Sequence, residues 1–374
     1  MMDADPARPT PAFRIDTAGR APRLAVAAAG VMLLVLVLLP AFAGRNLIQD
    51  LIFLFYMLAL AQCWNLLAGY AGLMSVGQQA FVGLGGYLLF ALTLLGGINP
   101  LLAIPIAGLV SALFAFPTAL IVFRLRGAYF AIGTWVVAEV YRLVFAQFKA
   151  LGGGTGASLA PSVTSSVPGI EWVKTLFDVR TPAARDIVSY WVALALMAGT
   201  LAFVYLILRS RRGLALGAIR DHEGAAAGLG VDIYRIKLAV YVATAAVTGM
   251  VGALIYLQKA RISPDAAFSV LDWTAYVIFI TVIGGIGTME GPVVGAIIFY
   301  LMQRYLADFG AAYLILLGAL GMLVILFAPK GLWGLISERH DLTLFATRRR
   351  LVIPTRNGDR GEQQANSITI KQYD

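Results

Sequence analysis

The chain has 374 residues, of which 60% are hydrophobic and only 13% are charged, and its formal net charge is +9. Such a high apolar fraction excludes a soluble globular domain as the main body of the protein. The basic residues gather at the chain ends and in two loops, a pattern that orients membrane spans and argues against nucleic-acid binding. One cysteine, Cys63, and two histidines, His222 and His340, do not supply an internal disulfide or a structural zinc site.

The chain order begins with a polar leader at 1–23, which we expect to be disordered. No small-residue cleavage site follows the first apolar run, so we interpret that run as a retained span. Apolar runs of about 20 residues are long enough to cross a bilayer as helices. The predicted spans are 24–41, 47–68, 73–95, 101–123, 127–147, 188–208, 236–258, 271–287, 289–303 and 311–328.

The orientation follows from the basic segments. With the leader in the cytoplasm, the loop 209–236 and the tail 332–374 also face the cytoplasm, while the loop 149–187 lies outside. A cytoplasmic tail requires that 271–303 crosses the membrane twice, because a single crossing would place the basic tail outside. We therefore predict an all-α polytopic membrane protein with about ten transmembrane helices, cytoplasmic termini and a largely disordered tail.

Ten spans divide into two inverted five-helix repeats, because the first five begin inside and the second five begin outside. Two glycine-rich segments echo each other, one from Gly69 to Gly86 and one from Gly284 to Ala296. Paired glycine interruptions in apolar segments are typical of a transport path. The alternative is that Gly77, Gly83 and Gly86 only allow close helix packing.

Polar side chains within the apolar runs are few. Ser75, Gln78 and Gln79 are the strongly polar residues of the third predicted span and are candidates to line a cavity. Glu139 and Arg142 lie three residues apart, and therefore on one face of the fifth span. We interpret them as a structural ion pair, with a gate or a proton relay as the alternative.

The charged loop between the sixth and seventh spans is rich in helix formers. Arg220 and Glu223 are three residues apart, and 225–227 is a run of alanines that offers a small-residue surface for a partner. Such a short cytoplasmic helix can act as a lever on the attached spans. The alternative is an ordinary solvated loop.

Several segments resemble one family of membrane proteins. The charged loop reads Arg-Ser-Arg-x-Gly-x-Ala-x-x-Ala-Ile-Arg-Asp-x-Glu-x-Ala-Ala-x-x-x-Gly from Arg209, followed by Arg-x-Lys-Leu from Arg235. The glycine segments read Gly-Tyr-Ala-Gly-x-x-Ser-x-Gly-Gln-x-Ala-Phe from Gly69 and Gly-Gly-x-Gly-Thr-x-x-Gly-Pro-x-x-Gly-Ala from Gly284, and Arg-Gly-x-Tyr-Phe-Ala starts at Arg126. Together, over roughly 47–331, these segments resemble bacterial branched-chain amino acid ABC permeases, particularly the M-type subunit.

The resemblance implies an ABC permease domain over 24–331, in the bacterial inner membrane. It implies a second, homologous permease subunit, two cytoplasmic ATPase subunits and a periplasmic binding protein that delivers a small-molecule substrate. By the same resemblance, the residues expected to dock the ATPase are Arg220, Asp221, Glu223, Ala226 and Gly230. The residues expected to border the path are Ser75, Gly77, Gln78, Phe81, Gly284, Gly285, Gly287 and Gly291.

No phosphate-binding Gly-x-x-x-x-Gly-Lys-Ser/Thr motif is present, so we expect ATP and Mg²⁺ to bind the partner ATPases. This chain is then expected to bear no catalytic residue, cofactor or metal site. Ala157 stands where the family often has leucine, which leaves the substrate open. Branched-chain amino acids are the default, and urea, short amides or other amino acids are the alternatives.

Two other classes of protein compete with this interpretation. An ion-driven secondary transporter also uses repeats and broken helices, but it needs a coupling site at depth, for which only Glu139 is available. A membrane-embedded enzyme needs clustered His, Asp, Glu or Cys within the spans, which the sequence does not offer.

Overall fold

The computed structural model describes residues 14–16, 20–165, 167–306, 309–340 and 350–352. The chain divides into two compact units, Met1–Gly30 with Thr343–Asp374, and Val31–Leu342. In the first unit, strand β1 (Arg14–Asp16) pairs antiparallel with β4 (Arg350–Val352). Most of the predicted disordered leader and tail lies outside the described residues.

The described chain is built from helices of very different lengths. They are α1 (Arg20–Leu38), α2 (Arg45–Asn65), α3 (Gln78–Leu94), α4 (Pro100–Val122), α5 (Ala128–Ala146), α6 (Pro161–Ser165), α7 (Ile170–Phe177), α8 (Thr181–Arg209), α9 (Arg211–Asp221), α10 (Glu223–Gly228), α11 (Ile233–Lys259), α12 (Pro264–Ala267), α13 (Tyr276–Gly284), α14 (Gly291–Leu306), α15 (Ala311–Phe327) and α16 (Gly331–His340). Short strands β2 (Ala157–Ser158) and β3 (Arg261–Ile262) also pair antiparallel.

Six helices of the described chain are long and apolar enough to cross a membrane. They are Arg45–Tyr70, Pro100–Val122, Ala128–Ala146, Thr181–Arg209, Ile233–Lys259 and Pro264–Gly284. A seventh candidate is a pair bent by 41°, Ala312–Phe327 with Gly331–Ser337, and Ala27–Ala41 and Gln78–Leu94 are shorter apolar helices. The prediction of an all-helical polytopic membrane protein is confirmed, and helix length alone supports six or seven spans, not ten.

Several predicted boundaries were wrong for local reasons. Helix α3 begins at Gln78, not at 73, because Gly72 adopts a positive φ of 68° and the backbone stays irregular up to Gly77. Helix α8 begins at Thr181, seven residues before the predicted span, with a proline in its first turn. The segment 149–187 is consequently not one open loop: it contains short helical turns, β2, α6 and α7. The predicted tail begins within helix α16.

Helix α2 is the centre of the larger unit. Within its membrane-spanning window, 83% of the residues are buried, against 17% for α5. A helix that is apolar on all sides is expected to be surrounded by others. Helices α3 and α11 approach each other closely at Gly85 and Gly252. A Cβ added at either glycine would overlap the backbone of the other helix. Small residues drive such packing in membranes.

Candidate translocation site

The first glycine segment interrupts the chain between α2 and α3. Helix α2 ends in a π-helical turn, Leu66–Tyr70, and irregular backbone follows up to Gly77. Side chains satisfy this freed backbone: the Trp64 indole donates to the Ser75 carbonyl at 2.8 Å, and the Val76 amide donates to the Thr134 hydroxyl at 3.0 Å. The segment is therefore an ordered break between two helices, and protein groups satisfy its backbone hydrogen bonds.

The second glycine segment forms a tight break between α13 and α14. Gly285 and Gly287 have φ values of 130° and 74°, which favour glycine strongly. The Thr288 hydroxyl donates to the Gly285 carbonyl at 2.7 Å and accepts from the Gly291 amide at 3.1 Å. A Cβ at Gly284 would overlap the Gly291 carbonyl, so these two glycines let the helix ends approach. The eighth and ninth predicted spans are thus separate helices.

Two buried amides of α2 tie the breaks together. The Asn65 side chain donates to the Thr288 carbonyl at 2.7 Å and accepts from the Gly287 amide at 2.8 Å. The Gln62 side chain donates to the Met289 carbonyl at 2.7 Å. Both side chains are fully buried. The two glycine breaks therefore lie next to each other, joined through Asn65. Asn65 and Gln62 were not predicted from the sequence, although two amides three residues apart in an apolar run are a visible signal.

A small cavity lies beside the first break. Four predicted path residues line it, together with one face of α11. Its lining residues are Leu67, Ser75, Gly77, Gln78, Phe81, Tyr241, Thr244, Ala245 and Thr248. Its volume of about 10 Å³ has room for one water molecule and none for an amino acid.

Gln78 is the most informative residue of the cavity. Its side-chain nitrogen donates to the Leu60 carbonyl at 2.9 Å, whereas its side-chain oxygen is buried without a hydrogen-bond partner among the described residues. An unpaired buried acceptor is rare and needs an explanation. Gln79, by contrast, is hydrogen-bonded to Thr274 and does not line the cavity.

The remaining predicted path residues lie elsewhere. Gly284, Gly285, Gly287 and Gly291 belong to the second break and do not line the cavity. Gly83 and Gly86 face Phe268 and Tyr256, which fits the packing interpretation. The hydroxyl-bearing α11 residues Thr244 and Thr248 were not predicted from the sequence.

The charged loop forms two helices, not the single docking helix that was predicted. His222 has an extended backbone, with φ −161° and ψ 108°, and its side chain caps α10 by accepting from the Ala225 amide at 3.1 Å. Arg220 and Asp221 therefore end α9, whereas Glu223 begins α10. The spacing of Arg220 and Glu223 does not place them on one helical face.

The other predicted docking residues divide into exposed and structural groups. Glu223 is exposed and forms an ion pair with Lys237. Ala226 is only 1% exposed, so it packs inside the chain and is not available to a partner. Gly230 has a φ of 82° and ends α10: its amide donates to Ala227, and the Val231 amide donates to Ala226.

Arg220 connects these helices to the second break. A Cβ built on Gly287 would lie 3.2 Å from a terminal guanidinium nitrogen of Arg220 and 3.2 Å from the Gly69 carbonyl oxygen. Helix α9 also packs against the π-helical turn at the end of α2. One arginine of the charged loop thus lies where both glycine breaks meet.

The predicted Glu139–Arg142 pair is present and extends to a third residue. The Arg142 guanidinium contacts Glu139 at 2.5 Å and Asp265 of α12 at 2.6 Å. The pair therefore links α5 to α12, which fits the structural interpretation.

Comparisons with known proteins agree with this architecture. The sequence profile described as "Branched-chain amino acid transport system / permease component" matches residues 46–328. The chain is 31% identical over 279 residues to the "High-affinity branched-chain amino acid transport system permease protein LivM" of Salmonella typhimurium, covering 72% of this chain and 65% of that protein. The protein of the same name from Escherichia coli is 31% identical over 333 residues, covering 79% and 77%.

A more distant relative belongs to the other permease type. It is the "Probable branched-chain amino acid transport permease protein LivH" of Methanocaldococcus jannaschii, 24% identical over 272 residues, with 69% of this chain and 82% of that protein covered. No solved structure matches the chain. The chain belongs to the family of permease components of branched-chain amino acid transport systems.

Proposed function

We propose that this protein is a permease subunit of an ATP-driven importer for branched-chain amino acids in the bacterial inner membrane. The relatives named for branched-chain amino acid transport support the substrate class. All nine residues that line the cavity are uncharged, and they combine apolar side chains with hydroxyl and amide groups. Such a lining suits a zwitterion with an apolar side chain.

The contacts between the breaks support ten crossings. Segments that touch outside the membrane core lie on the same side, so an even number of spans separates them. Arg220 lies at the second break, and Asn65 joins that break to the end of α2. The number of spans between 77 and 220 is even if α3, α4, α5 and α8 all cross, α3 with only 17 residues. If α1, α14 and α15 also cross, the total is ten spans in a five-plus-five arrangement with cytoplasmic termini.

The observation that carries the proposal is the position of Arg220. It places helix α9 of the charged loop beside Gly287, where the second break meets the first break that borders the cavity. If the ATPase subunits bind α9 and α10, the movement of these subunits on binding ATP displaces Arg220 and shifts the two breaks. The closed cavity beside Gln78 would then open towards one side of the membrane. ATP and Mg²⁺ bind only to the partner ATPases in this scheme.

The docking surface that we propose differs from the prediction. Leu229, at the end of α10, is 82% exposed, and Leu214 of α9 is 53% exposed. These exposed leucines lie in or directly after the short helices that carry Asp221 and Glu223, and we propose them as the apolar part of the contact. The second permease subunit and the periplasmic binding protein complete the assembly, with the binding protein meeting the segment 149–187.

The test compares two leucine variants. Leu229→Asp should abolish co-purification with the ATPase subunits and ATP-driven leucine uptake, because it places a charge in an apolar contact. Leu95→Asp is the matched control: Leu95 is 64% exposed and follows α3 at the end away from the breaks. Equal ATPase association of both variants would refute docking at α10. Uptake without ATP in proteoliposomes would favour an ion-driven transporter.

A further inference from the structure

Helix α5 packs against the rest of the molecule through a narrow stripe of buried residues. Phe130, Thr134 and Ala138 are its buried residues. Its share of buried residues, 17%, is the smallest among the six candidate spans of the described chain. The large side chains on the opposite side are each about half exposed: Ile132, Trp135, Val136, Val140, Leu143 and Val144.

That open side of α5 also carries charge. The side chains of Glu139 and Arg142 are 44% and 29% exposed, and Asp265, which completes the cluster, is 81% exposed. Two carboxylates share one guanidinium, so the cluster has an excess negative charge. At 1.5 Å per residue, Glu139 lies about 10 Å from the α5 end at Ala146 and about 16 Å from the end at Ala128. It therefore lies inside this candidate span and not at either of its ends.

Ionised groups at that depth are costly against lipid and normally face protein or water. Helix α4 gives the contrast within the same chain. Its exposed stripe has no charged residue and consists of Leu102, Leu109, Leu113, Phe116 and Leu120. That composition suits lipid, whereas the composition of the open side of α5 does not.

We infer that the open side of α5, from Ile132 to Val144 and including Glu139, is the contact surface for the second permease subunit. This inference rests on the proposed function. This chain is similar to a LivH protein over 272 residues, so we expect the two permease types to pair through equivalent faces. The opposite, buried side of the same helix holds the first break, because the Thr134 hydroxyl accepts from the Val76 amide.

Cysteine cross-linking tests the surface cleanly, because Cys63 is the only cysteine of the chain and is buried. Single variants Ile132→Cys, Val136→Cys and Leu143→Cys represent α5, and Leu109→Cys and Leu113→Cys represent α4. Each is co-expressed with the second permease subunit, which carries single cysteines along its own fifth helix, and membranes are oxidised with copper phenanthroline. We expect disulfide-linked heterodimers from the α5 variants and at least tenfold fewer from the α4 variants.

The outcomes separate this inference from the proposed function. Cross-links from α4 and none from α5, in a complex that still co-purifies and transports, would overturn the inference alone. Homodimer cross-links from α5 that persist when the second subunit is present would also overturn it, because the occupant would be a second copy. If no second permease subunit co-purifies with the wild-type chain, the proposed function itself fails.

Discussion

Asn65 offers the sharpest perturbation, because one buried side chain holds two backbone groups of the other glycine break. The change Asn65→Leu keeps the number and branching of the side-chain heavy atoms and removes both bonds, the 2.7 Å bond to the Thr288 carbonyl and the 2.8 Å bond from the Gly287 amide. Each unpaired buried group costs about 1–3 kcal/mol. Hydrogen bonds between membrane helices average about 0.6 kcal/mol, because the unfolded chain finds other partners. We expect a loss of about 2 kcal/mol in the free energy of unfolding.

The assay is reversible unfolding in mixed micelles on adding SDS, followed by tryptophan fluorescence. Thr93→Val is the matched control: Thr93 is buried, but its hydroxyl bonds only to carbonyls of its own helix, at Leu89 and Phe90. Asn65→Leu should also retain ATPase association while losing uptake, because it breaks the link and not the docking surface. A free energy of unfolding within about 0.5 kcal/mol of the Thr93→Val control would show that the two Asn65 bonds do not stabilise the junction of the breaks.

Three further changes follow from the described contacts. Gln78→Leu removes the unpaired acceptor of the cavity, so leucine uptake should fall at least tenfold while docking of the binding protein, measured by co-sedimentation, is unchanged. Gly85→Ala should lower the free energy of unfolding by about 1–3 kcal/mol, because the added methyl group meets the Gly249 backbone; Gly199→Ala, with open space around it, should not. Gly230→Ala forces a left-handed residue at a cost of about 1 kcal/mol, visible as faster hydrogen exchange over 223–231.

The helices were the easier part to predict from the sequence. Apolar runs place α4, α5 and α11 within a few residues of their observed ends, because a bilayer demands a fixed length of apolar helix. Boundaries failed where a special backbone intervenes, as at Gly72 before α3. The capped break at His222 also escaped prediction, because histidine is not a strong signal for a helix start.

The site was only partly predictable. Ser75, Gly77, Gln78 and Phe81 do meet at one cavity. Their partners on α11 come from a distant part of the chain. No local sequence pattern predicts that threonines of an apolar helix face this cavity. Ala226 illustrates the reverse error, because a run of alanines has no polarity to reveal which residue turns inward.

If movement of α9 and α10 opens the path, transport must be driven by ATP, and the energy source can be measured. The complete transporter would be reconstituted in proteoliposomes, and uptake of radiolabelled leucine measured with ATP on the side of the ATPases or with an imposed proton or sodium gradient. Uptake should require ATP hydrolysis, should be abolished by Leu229→Asp and should not depend on the gradient. Uptake driven by the gradient in the absence of ATP, and unaffected by Leu229→Asp, would contradict this mechanism.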